Sequence, residues 1–125
     1  MIRTLVSIII TLGIILGLSI IDIWYVARTF ETFRYGLDAL YEKSERKQAT
    51  YEDGEALRMF WEKKKDTLFV WLPHTAIQEV DYQLNEAVGF LYVNDFENVI
   101  PKLEILIAMS ENIPQSYTFG LENIF

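Results

Sequence analysis

From Thr4 to Ile23 the chain runs for twenty residues with no charge except Asp22 at the far end. At about 1.5 Å per residue such a run makes a helix roughly 30 Å long, the thickness of a bilayer's hydrocarbon core. Ser7, Thr11 and Ser19 lie inside the run, and their hydroxyls can bond back to helix carbonyls. Arg3 and the amino terminus precede it, and Trp24-Tyr25 follows it where an interfacial aromatic pair belongs. A cleaved signal peptide is the rival reading, with Gly17-Leu18-Ser19 as the cleavage site. Its apolar core would usually span about 7–15 residues, whereas here the run continues through Ile20, Ile21 and Ile23. We therefore expect an uncleaved single-pass anchor over 4–23, behind a tail of 1–3. The short basic tail predicts a cytoplasmic N-terminus in the cell membrane and an extracytoplasmic domain over 24–125. Gly13-Ile-Ile-Leu-Gly17 places two glycines one turn apart, a face on which transmembrane helices pair closely. Gly13 and Gly17 are thus the candidate helix-packing contact, with a homodimer as one outcome.

Beyond Tyr25 the apolar residues keep a 4-3 rhythm, Val26, Phe30, Phe33, Leu37 and Leu40, which extends the anchor as a helix over 26–48. Gly36 interrupts this stripe as a weak point. Thr50 with Asp53 three residues on reads as a capping box for a second helix, 51–71, with Leu57, Trp61, Leu68 and Trp71 inward and Pro73 closing it. Lys64 falls on that stripe, its stem able to pack while the ammonium reaches water. Thr75 with Gln78 marks a third helix, 76–92, carrying Ile77, Val80, Leu84, Ala87 and Leu91. Asn94 with Glu97 marks a fourth, 95–112, carrying Phe96, Val99, Leu103, Leu106 and Ile107. Pro101 should kink its first turns or delay its start, and Ile113-Pro114 should stop it. The fold class expected is all-α: an N-terminal transmembrane helix continuing into an antiparallel bundle of about four helices. The apolar tail, 114–125, would start near the membrane end. Its Phe119, Leu121, Ile124 and Phe125 would cover a bundle groove, or touch lipid or a partner.

The net charge of −7 is unevenly placed. Nine basic and nine acidic residues cancel between Trp24 and Pro73, while from His74 onward Lys102 alone opposes eight acidic side chains. That surface repels nucleic acid, which is excluded as a partner. With no cysteine and a single histidine, His74, no metal or cofactor site is expected. A catalytic His74 would need a base partner and a nucleophile; Glu79 lies five positions on and Asp81 seven. The plainer reading is an exposed residue just before the Thr75 cap. Lys63-Lys64-Lys65 is expected to pair with Glu62, Asp66 and the acidic third and fourth helices, and Phe60, Trp61, Phe69 and Trp71 to fill the core. Nothing here argues for an enzyme.

Several features together resemble a known family: the apolar N-terminus, the Trp61 and Trp71 helix, Leu72-Pro73-His74, and Asp81, Leu84 and Leu91 after them. Ile113-Pro114 and the closing Leu121-Glu-Asn-Ile-Phe125 complete the likeness, which covers nearly the whole length. The chain is similar to small single-span proteins of spore-forming bacteria that share the domain of unknown function numbered four thousand three hundred and sixty-three. Members tend to carry an acidic residue where this chain has Pro73, and Glu where it has Ala76. Those departures separate His74 from adjacent carboxylates. Members are often encoded beside a multi-span membrane protein, so the resemblance implies an accessory subunit. The expected function is accordingly a membrane-anchored, non-enzymatic interaction domain. The alternatives are an extracytoplasmic ligand-sensing bundle and a self-associating structural protein of the envelope.

Overall fold

The computed structural model describes residues 1–70 and 72–124, with side chains as far as Gln115. Four helices follow one another: α1 (Ile2–Glu45), α2 (Tyr51–Leu68), α3 (His74–Tyr92) and α4 (Phe96–Ile124). Each packs against its two neighbours in a closed ring, α1 on α2 and α4, α3 on α2 and α4. This is an up-down-up-down bundle.

The 4-3 stripe of α1 is the spine of the core. Val26, Phe30, Phe33, Leu37 and Leu40 are all buried, and they meet Leu57, Trp61 and Leu68 from α2. Ile77, Val80, Leu84, Ala87 and Leu91 close the core from α3, and Val99, Leu103 and Leu106 from α4. Burying a side chain of this size contributes about 1.5–3 kcal/mol, so this shared seam is what holds the ring together. Phe96 and Ile107, expected inward, are only half-buried at its margin. The weak point at Gly36 has a packing reason: a Cβ there would lie 2.8 Å from the Leu57 side chain, so the glycine lets α2 approach α1.

α1 is one unbroken helix of 44 residues, and its apolar half is long and apolar enough to cross a membrane. None of that half is buried within the chain's own fold. The bundle reaches the near edge of that run, because Ser19, Asp22 and Ile23 are half-buried on the stripe face.

The helix ends show where local chemistry decided. Thr50 accepts from the Asp53 N–H at 3.2 Å while Asp53 accepts from the Thr50 N–H at 3.0 Å, the reciprocal capping box expected. α1 stops at Glu45, short of 48, because Lys47 turns left-handed at φ 58°. The Lys47 N–H then reaches the Ser44 carbonyl and the Gln48 N–H the Lys43 carbonyl, a Schellman ending. Asn94 does the same for α3, with φ 58° and bonds from Asn94 to Leu91 and from Asp95 to Phe90. Asn94 is therefore spent on ending one helix, and Asp95 caps the next by accepting from the Asn98 backbone and amide at 3.4 and 2.6 Å.

Thr75 is likewise no cap. α3 begins two residues earlier, at His74, with Pro73 as its N-cap in an extended conformation. α2 ends at Leu68 rather than 71, and Trp71 lies outside the described residues. Neither proline interrupts α4: it starts at Phe96 despite Pro101, and it continues through Pro114 to Ile124 instead of stopping at 112. The expected irregular tail, 114–125, is thus largely helix, while Phe125 itself lies outside the described residues.

Candidate functional site

Three groups of residues could carry a function: the glycine face of α1, the polar contacts between helices, and the surroundings of His74. Gly13 and Gly17 sit on the exposed half of α1, and a Cβ at either would meet nothing within 4 Å. At the about 100° per residue of an α-helix they lie some 140–180° round from Val26, opposite the bundle stripe. Trp24 and Tyr35, both well exposed, fall on the same side. The open face therefore runs from the apolar half of α1 onto the domain. Phe119, Leu121 and Ile124 belong to the last turns of α4, but their side chains, with all of Phe125, lie outside the described residues. The backbone of those turns is placed by register. Tyr41 donates to Glu104 at 3.1 Å and Arg34 lies 3.8 Å from Glu111, so seven residues along one helix match seven along the other. Continued at that register, Ile124 comes level with about Ile21.

Between α2 and α3 is a polar contact within the aromatic core. Trp61 is 1% exposed and packs against Phe30 and Phe33, with ring centroids 6.0 and 5.3 Å away. Its Nε1–H donates to Asp81 at 2.6 Å, and the other oxygen of Asp81 accepts from Lys65 at 3.4 Å. Lys65 also pairs with Glu62 at 3.0 Å, and that carboxylate, more than Asp81, raises the lysine's pKa. The residues therefore form a clamp in which a buried indole finds the acceptor it needs. From sequence, the one role weighed for Asp81 is that of a distant partner for His74. The available signal was its place beside Val80 on the inward edge of α3, one helix away from a buried tryptophan.

The rest of the lysine run divides its work. Lys64 lies over Tyr25 at 5.5 Å and Phe60 at 6.0 Å, a cation on aromatic faces, while Lys63 is exposed. Lys102 joins Glu86 at 2.6 Å, tying α4 to α3. Tyr41 has its phenol pushed up to about 12, first by Glu45 and then by Glu104.

His74 is the first residue of α3, exposed, with its ring 4.7 Å from Phe69. Among the described residues no three of His, Cys, Asp and Glu come together as a metal site. A cleft between α1 and α4, about 310 Å³, is lined by Phe30, Glu31, Arg34, Ser110, Glu111 and Gln115. Of its three charges, Arg34 and Glu111 pair with each other at 3.8 Å and Glu31 accepts from the Tyr35 hydroxyl at 3.2 Å.

A family model described as a domain of unknown function, DUF4363, matches residues 23–124. The match takes in the bundle and begins where the apolar run ends. No curated protein and no solved structure matches the chain.

Proposed function

From the premise that the chain belongs to the DUF4363 family, a domain of unknown function, we propose a membrane-anchored, non-enzymatic interaction domain. In this reading it serves as accessory subunit to a multi-span membrane protein. The single observation that carries the reading is the division of α1. One half is apolar and unpartnered, the other is the spine of a closed core, and no break separates them. The apolar half spans the cell membrane with the N-terminus cytoplasmic, and the bundle stands on the opposite side. In this reading the exposed surfaces of α1 and of the bundle are the means of recognition.

Gly13 and Gly17 supply the helix-packing contact, on a face the bundle does not cover. The test is purification of the tagged protein in mild detergent at native expression, with crosslinking and mass spectrometry. One multi-span protein is expected in fixed ratio, depleted when Gly13 and Gly17 are replaced by Leu or when 121–125 are deleted. Unchanged co-purification in both variants would sink the reading.

A further inference from the structure

The turn between α2 and α3 carries Phe69-Val70-Trp71-Leu72-Pro73, five residues without a charge or a hydrogen-bonding group other than the indole. Val70 is 71% exposed and Phe69 half-buried, whereas Leu68 and Leu72 on either side are buried. A turn in water normally presents polar residues at its tip. Here the tip is apolar, and its height along α1 gives the reason. The Phe33–Trp61 contact sets the antiparallel register of α1 and α2, and continuing it puts Val70 level with about Trp24. The Phe30–Trp61 contact puts it level with about Ile21. Either way the tip comes to the end of the apolar run. The half-burial of Ser19, Asp22 and Ile23 shows independently that the bundle's base overlaps that run. By contrast, the turns at the far end hold Arg46, Lys47 and Gln48, or Asn94 and Asp95 beside a single exposed valine, Val93.

We propose that the α2–α3 turn is a second membrane contact: it inserts Val70 and its apolar neighbours into the interfacial layer of the bilayer beside the span. The inference rests on the reading of α1 as a membrane span. Its ligand is a lipid surface of no particular charge, because the charged groups near that level are mixed. Arg28, Lys63 and Lys64 stand with Asp22, Glu31 and Asp66. Lys64 over Tyr25 and Arg28 over Trp24 are placed as cations at head-group height, above a layer of apolar and aromatic side chains. Two contacts fix the tilt and rotation of α1, which a lone span leaves free.

The absence of cysteine allows clean single labels. Nitroxides are attached to Ile14→Cys, Trp24→Cys, Val70→Cys and Tyr92→Cys in the full chain, reconstituted in phosphatidylcholine vesicles. Collision with oxygen is compared with collision with a water-soluble nickel chelate. Val70 and Tyr92 are similarly exposed in the fold, so any difference between them comes from the bilayer. The expected result is an oxygen-to-nickel ratio at 70 several-fold above that at 92 and close to that at 24. A label at 70 as accessible to nickel as that at 92, with 14 protected, overturns the second contact and leaves the span standing. A label at 14 open to nickel overturns both.

Discussion

Replacing Trp61 by Phe tests whether the clamp to Asp81 or the aromatic packing holds α2 in place. The substitution keeps an aromatic ring between Phe30 and Phe33 but removes the donor that meets Asp81 at 2.6 Å. A hydrogen bond to a charged group contributes about 1.5–3 kcal/mol. The missing ring atoms leave a void in a fully buried site, for about 1 kcal/mol more. Asp81 is not stranded, since Lys65 remains at 3.4 Å and the carboxylate is partly open to water. The expected loss is therefore about 2–4 kcal/mol, or roughly 10–25 °C in Tm for a domain of this size.

The partner change, Asp81→Ala, should cost a similar amount by leaving the buried indole N–H unpaired. Asp81→Asn, which retains an acceptor oxygen, should cost less. Urea unfolding in mild detergent, followed by circular dichroism, gives each value and that of the double variant. If the bond is as described, Trp61→Phe with Asp81→Ala falls short of the sum by about 1–2 kcal/mol. Additivity within about 0.5 kcal/mol would refute the clamp and assign the whole effect to packing.

Three further perturbations follow from the helix ends and the close approaches. Gly54→Ala gains about 1 kcal/mol of helix propensity. It also sets a Cβ 2.7 Å from the buried Leu91 and 3.3 Å from Val88, where overpacking costs about 1–3 kcal/mol. A net lower Tm is expected, and a rise would show that α3 yields there. Lys47→Gly relieves a left-handed lysine and should stabilise by about 0.5–1 kcal/mol, read as a higher urea midpoint with unchanged slope. The Asp53 carboxyl is held below its usual pKa, first by the Thr50 N–H it accepts from and more weakly by Lys43. A depressed folded value means that this stabilisation is present above the unfolded pKa near 4 and is lost as pH falls through the folded one. Asp53→Asn should flatten the acid limb of a stability–pH curve, and an unchanged limb would remove the capping box as its cause.

What the sequence made legible was whatever repeats. The stripes on all four helices gave the core, because burial acts on every third or fourth residue and a single exception does not obscure the rhythm. Single-residue signals fared unevenly. Thr50-Asp53 is a capping box because Thr50 takes the extended conformation of an N-cap, while Lys43 engages only the other oxygen of Asp53. Asn94-Glu97 has the same spacing, yet Asn94 tolerates the left-handed conformation and ends α3, so the cap passes to Asp95. Pro114 failed as a stop signal for a tertiary reason. A proline costs a helix about 3 kcal/mol, but α4 is held along α1 right up to the expected break. Ile113 packs on the core and Glu111 lies against Arg34, so the helix continues. The Trp61–Asp81 bond was hidden for a different reason: it joins residues 20 apart on two helices, and no local spacing encodes it.

The two faces of α1 make the proposed contacts separable. The stripe from Val26 to Leu40 is committed to α2 and α4, and Gly13, Gly17, Trp24 and Tyr35 lie on the other side of the same helix. A partner helix seated on the glycines would therefore meet the domain without any rearrangement of the core, and leucine at 13 and 17 would block it without unfolding the bundle. Continued at the α1–α4 register, the last turn of α4 comes level with about Ile21, so deleting 121–125 acts at the base of the bundle. If the leucine variants alone release a multi-span partner, recognition runs along the back of α1. If the deletion alone does, recognition runs through the base of the bundle, next to the turn that carries Val70. Because no break separates the halves of α1, tilting the span by a partner in either place would carry the whole bundle with it.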